Sequence, residues 1–119
     1  MTAMTSKRDL EIIRHIRRYC GEIEETIAFF GNDRDVFLSN AIYRNAAATP
    51  IEQIGELVKR LSDDFLIAHP DVPWKAIKGM RTWFAHQYLT MDRQIMWKVM
   101  QEDIPVLNAF CDKVIADNL

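Results

Sequence analysis

The sequence predicts an all-α fold, an antiparallel bundle of four to five helices forming one domain over residues 1–119. Three observations carry that expectation. Apolar residues recur at steps of three and four nearly throughout, the spacing of a single helix face. Only four glycines and four prolines punctuate the 119 residues. No segment alternates apolar and polar residues as a half-buried strand would, and no repeat or low-complexity stretch stands out.

In the first element Leu10, Ile13, Ile16, Cys20, Ile23, Ile27 and Phe30 form the apolar stripe. Ser6, followed three residues later by Asp9, is a start signal close to a capping box, and Gly31-Asn32 is a stop. The helix between them is about 24 residues, roughly 36 Å at 1.5 Å per residue. A second helical region spans about Asp35 to Leu61, with Val36, Phe37, Ala41, Ile42, Ile51, Ile54, Leu57, Val58 and Leu61 as its apolar positions. Pro50 interrupts it and leaves two readings open. Thr49-Pro50-Ile51-Glu52 can start a separate helix with a first-turn proline, or one long helix can kink there.

Ser62 to Val72 reads as a connection. Pro73 can open a third helix, because the first turn tolerates a missing N–H; it carries Trp74, Ile77, Met80, Arg81 and Phe84. A fourth begins near Thr90 to Asp92 and runs towards Ala116, with Met96, Val99, Met100, Ile104, Leu107, Phe110, Cys111 and Val114 inside and Pro105 bending it. Ile12 and Tyr19 flank the first stripe, and Ile95 and Trp97 flank the last. A second copy covering such surplus apolar positions predicts a two-fold dimer.

Composition bounds the function. A hydrophobic content of 49% fits a folded domain. No apolar run reaches the roughly 18 residues of a membrane span, so no membrane association is expected. Met1 to Lys7 lacks the apolar core of a secretory signal. Cys20 and Cys111 are too few and too far apart for a zinc site and read as free thiols in the core, which places the protein in a reducing cytoplasm. No metal or cofactor is expected. The net charge of −2 gives no global attraction to nucleic acid, so any RNA contact must be local. His15 beside Arg14, Arg17 and Arg18 makes a basic helix face, most simply a solvated one, which could also meet RNA or an acidic partner. Trp74, Trp83 and Trp97 read as core or interface anchors. His69, before Pro70, reads as a loop residue whose partner the sequence does not identify.

The segment Arg81-Thr82-Trp83-Phe84-Ala85-His86-Gln87-Tyr88 concentrates the chemistry. Arginine holds a phosphate through a fork of donors, and histidine takes or gives a proton near neutral pH. Together they suffice to cleave RNA by attack of its own 2′-hydroxyl, with no metal. Positions five apart lie about 140° apart on a straight helix. Arg81 and His86 can therefore cooperate only if the helix loosens near His86 or two chains meet.

The pattern Arg-x4-His-x-Tyr, with Pro73-Trp74 upstream and Asp92, Trp97 and Ile104-Pro105-Val106-Leu107 downstream, resembles the HEPN ribonucleases, in particular the HepT-like toxins. Looser similarity reaches Phe37 and Ile54-Gly55-Glu56. The resemblance implies a HEPN-like two-fold dimer with a composite interface site, and it favours the kinked helix at Pro50. It implies a metal-independent endoribonuclease toxin of a type VII-like toxin–antitoxin system. Arg81 and His86 would be catalytic, and Arg81 and Thr82 would contact the RNA substrate. A minimal nucleotidyltransferase antitoxin would be the partner, silencing the toxin by AMP transfer to Tyr88. Thr82 departs from the planar polar residue usual at that position and offers fewer donors. Thr82 and the acidic balance keep another class in play, a non-catalytic HEPN module that binds nucleotide or RNA; a helical interaction protein is a third.

Overall fold

The computed structural model describes residues 5–87 and 93–119, and the side chains of all of these except residues 81–87. Every regular element among them is helical, as expected. The first, α1 (Lys7–Phe30), starts where the Ser6 hydroxyl accepts a hydrogen bond from the Asp9 amide at 3.1 Å. It stops at Gly31, whose φ of 107° suits a residue without a Cβ and whose amide donates back to the Ile27 carbonyl at 2.8 Å. The Asp9 carboxylate does not close a capping box. It is buried and accepts from Ser62, at 2.9 Å from the amide and 2.6 Å from the hydroxyl.

The expected second helical region is two helices, and the break is not at Pro50. The elements α2 (Arg34–Ser39) and α3 (Ala41–Arg60) meet at Asn40. Its extended backbone cannot continue the first, and its side chain accepts from the amides of Ile42 and Tyr43 at 2.9 and 3.2 Å. This cap resets the helical phase. Val36, Ala41 and Ile42, expected on the inner face, are exposed, and Tyr43 is fully buried instead. Pro50 lies buried inside α3, so the helix does run through the proline.

The segment expected as a plain connection contains a short helix, α4 (Asp63–Ala68), capped by the Ser62 hydroxyl on the Phe65 amide. Six residues are too few for a readable apolar period. Pro73 then precedes α5 (Trp74–Gln87), its carbonyl accepting from Ile77 at 3.1 Å. The expected start of the last helix, near Thr90 to Asp92, lies outside the described residues. From Arg93 onward α6 (Arg93–Lys98), a π turn (Val99–Asp103) and α7 (Ile104–Asp117) follow without a gap. Pro105 has no amide hydrogen and needs room against the carbonyl four residues back. The widened turn, in which the Ile104 amide donates to Val99 five residues earlier, provides that room.

In the packed order α5, α3, α1, α7, the helix α3 lies between α5 and α1, and α1 also packs on α7; α2 covers α3 and α6. Pairs such as Arg17–Asp112 and Glu24–Asn108 show α1 and α7 running antiparallel. Ile13, Ile16, Cys20 and Ile23 of α1, Ile51, Ile54 and Val58 of α3, and Met100, Ile104, Leu107 and Cys111 of the last rod form the core. Two residues expected to be left over for a partner are used within the chain. Ile12 is buried, and Trp97 packs on Phe37 with ring centroids 5.2 Å apart. Tyr19 is half-buried and Ile95 remains exposed.

Both cysteines are free and buried, as expected of core thiols. Burial pushes the Cys20 thiol up to about 12 and the Cys111 thiol higher still. His69 follows the end of α4, outside any helix, and its ring lies 4.5 Å from that of Phe65 and 5.1 Å from that of Phe110. Among the described residues no helix is long and apolar enough to cross a membrane.

Candidate functional site

The helix α5 is anchored at its beginning. Trp74 is nearly buried between the rings of Phe65 and Phe110, and its indole Nε1 donates to the His69 carbonyl at 2.9 Å. One and two turns on, Ile77 and Met80 are buried in the core. The same helix continues unbroken through positions 81, 82 and 86 to Gln87. Arg81, Thr82 and His86 therefore ride on one rod whose first half is fixed by packing. The side chains of these three residues and of Trp83 lie outside those described, and Tyr88 and Asp92 lie outside the described residues.

The described backbone stays α-helical through His86 to Gln87, and the residues just beyond lie outside those described. Positions 81 and 86 are thus about 140° apart around a regular helix at 100° per residue. Position 86 falls about 180° around the axis from Ile77, while position 81 falls about 40° from it. One rod does not bring the two positions onto one face.

The chain returns from this segment onto the end of α2. Arg93 Nη1 donates to the Leu38 carbonyl at 3.2 Å, and Arg44 Nη1 donates to the carbonyls of Phe37 and Leu38 at 3.1 and 2.8 Å. The last carbonyls of a helix lack amide partners and carry the negative end of its dipole, so two guanidinium groups there are doubly favoured. Neither arginine carries a sequence signal of its own. Only Asn40, a capping residue type, marked that carbonyls would need partners nearby. Beside this junction an open depression of about 440 Å³ is bordered by Arg34, Trp97, Lys98 and Glu102. Lys98 and Glu102 face each other at 4.0 Å, so the depression is not uniformly cationic.

No group of three or more His, Cys, Asp or Glu side chains among the described residues is placed to hold a metal ion. The basic face expected on α1 is present, with Arg14, His15 and Arg18 exposed. Arg17 departs from it, bonded through Nε to Asp112 at 2.7 Å.

Comparison with known proteins gives a consistent result. Residues 10–114 match the family described as HepT-like, "Ribonuclease HepT-like". A Methanocaldococcus jannaschii protein provisionally named an RNase is 36% identical over 73 residues, covering 61% of this chain and 67% of the relative. A Thermococcus cleftensis protein provisionally named ribonuclease HepT is 35% identical over 78 residues, 66% of this chain and 71% of its own length. A second Methanocaldococcus jannaschii protein provisionally named an RNase aligns over 113 residues at 31% identity, covering 93% of this chain and 91% of the relative. No solved structure gives a significant match.

Proposed function

The chain belongs to the HepT-like ribonuclease family, and on that premise we propose that it is a metal-independent endoribonuclease toxin acting as a two-fold dimer. The observation that carries the dimeric site is the unbroken α-helix from Trp74 to Gln87. A regular helix separates positions 81 and 86 by about 140°, so a phosphate that needs both groups is best served where two such helices face each other. His86 of one protomer withdraws the proton of the RNA 2′-hydroxyl, and His86 of the partner subunit protonates the leaving 5′-oxygen. Arg81 offsets charge on the non-bridging oxygens, where a fixed cation contributes most, and Thr82 adds one hydroxyl donor. The products are a 2′,3′-cyclic phosphate and a 5′-hydroxyl.

Regulation follows the same chemistry. A minimal nucleotidyltransferase antitoxin transfers AMP from ATP to the Tyr88 hydroxyl, the phenolic oxygen bonding to the α-phosphorus as pyrophosphate leaves and the phenol's proton is released. The added phosphate competes with RNA for Arg81.

The test is RNA cleavage by purified protein in EDTA, with His86→Ala as control. The parent is expected to cut, and the variant to lose about 10²- to 10⁴-fold in rate while keeping its helical signal. A variant that cuts as fast as the parent removes His86 from the mechanism. A parent that binds RNA without cutting it supports the other reading, a binding module, which Thr82 in place of a planar donor favours.

A further inference from the structure

Charge along α1 is ordered against its own helix dipole. Between Lys7 and Arg18 stand five cationic residues, Lys7, Arg8, Arg14, Arg17 and Arg18, against the acids Asp9 and Glu11. Of these acids, Asp9 is buried and turned to Ser62. The second half carries Glu22, Glu24 and Glu25, and the last turn holds no basic residue. The macrodipole favours acids at the start of a helix and bases at its end, so helix stability does not account for this order.

The cations are also not used up by the fold. Arg17 alone is tied to another helix, through Asp112. Arg14 meets Glu11 at 3.4 Å in an exposed pair, an interaction worth little in water. Lys7, Arg8 and Arg18 make no ion pair with any described residue. Lys7, Arg14 and Arg18 share the outward face, about 10 Å and then 6 Å apart along the axis. The guanidinium carbon of Arg18 sits over the Tyr19 ring, 5.1 Å from its centre.

We propose that this outward face, Lys7, Arg14 and Arg18 with Arg8 and His15 along one edge, is a docking strip for the phosphodiester backbone of single-stranded RNA, separate from the Arg81–His86 segment. The ligand's identity rests on the ribonuclease reading above. The strip itself favours nucleic acid over a protein partner. Protein interfaces are anchored by large apolar side chains packed at their centre. Here the neighbouring Ile12 is buried; exposed Phe29 lies about 16 Å further along the axis than Arg18, and Ile42, Ile67 and Val106 lie on other helices. Backbone recognition of RNA needs only spaced cations and donors.

The experiment measures binding of a 2′-O-methyl single-stranded RNA of about a dozen nucleotides, within the span of one strand-binding groove, by fluorescence anisotropy across a salt series. The methyl group blocks cleavage, so binding is read apart from catalysis. The variant replaces Lys7, Arg14 and Arg18 with Gln, which keeps helix propensity; Glu22→Gln with Glu25→Gln is the control on the same helix. The basic-strip variant is expected to bind about tenfold more weakly, with the slope of log affinity against log salt reduced by about 2, at roughly 0.7 per phosphate contact. The acidic-residue control is expected to bind no worse than the parent.

Unchanged affinity and slope overturn the proposal, as does a parent that does not bind. So does retained RNA binding by a variant that has lost capture of poly-glutamate, which would assign the strip to an acidic protein. If the triple variant loses its helical signal, Arg14→Gln and Arg18→Gln are read singly, each expected to lower the slope by about 0.7. Cleavage of an unmodified dinucleotide is followed in parallel. Loss of cleavage in the parent with strip-dependent binding intact refutes the nuclease reading and leaves the strip standing.

Discussion

Asp9 and Ser62 lie 53 residues apart in sequence and meet through two hydrogen bonds, the Ser62 amide and hydroxyl donating to separate oxygens of the buried Asp9 carboxylate. Ser62 is also the N-cap of α4, so the first turn of α1 is fastened to the junction of α3 and α4. Burial pushes the Asp9 carboxyl up, but the bonds from Ser62 and Ser6, with nearby Arg8, outweigh it and hold it below the usual range.

A depressed folded-state pKa gives stability that is fully present above the unfolded value, near 3.9. That stability is lost as pH falls through the folded value. Asp9→Asn is expected to destabilise by about 2 kcal/mol at neutral pH, the scale of hydrogen bonds to a charged group. The gap to the parent should shrink below about pH 4. Urea midpoints at pH 7 and pH 3 check this, and a gap independent of pH would show that the charge of Asp9 is immaterial.

Cys20 is expected to resist thiol reagents in the native state. Its thiol is fully buried and pushed up to about 12, with almost no thiolate at pH 8. Ellman's reagent should find two reactive thiols only in denaturant. Rapid modification of the native protein would mean that the contact between α1 and α7 opens readily.

The proposed composite site requires two chains. Burial of Ile12 and the packing of half-buried Trp97 on Phe37 leave fewer spare apolar residues than the sequence suggested, yet the proposed cooperation of positions 81 and 86 still calls for a partner. Sedimentation at roughly tens of micromolar, the range of weak association, should show a dimer. A monomer there would leave the proposed acid–base pair without its second histidine. Within the dimer, Arg81→Lys should lower kcat, because a point charge does not reproduce the bidentate fork.

Tyr88→Phe removes one hydroxyl with almost no change in side-chain volume. It should keep any ribonuclease activity and escape inactivation by the antitoxin with ATP. Intact mass decides: the parent should gain one or more AMP units and the variant none. Equal adenylylation of both would move the modified group to another residue and leave the nuclease proposal untouched.

What the sequence determined by itself is local. Ser6 and Gly31 set the ends of α1 because capping acts within one turn, and the inner stripe from Met96 to Val114 followed from helical periodicity. The Arg81–His86 motif was legible because its spacing is carried by consecutive residues. Tertiary structure decided what depends on distant partners. Asn40 ended α2 where two arginines could reach the freed carbonyls, and that break turned Tyr43 inward in place of Ile42. Asp9 looked like a capping residue until Ser62, 53 residues away, took its carboxylate. His69 found Phe65 and Phe110 only when α4 and α7 met. Caps and periods are fixed by neighbours along the chain. Burial and charge pairing are fixed by which helices meet, and no local pattern encodes that.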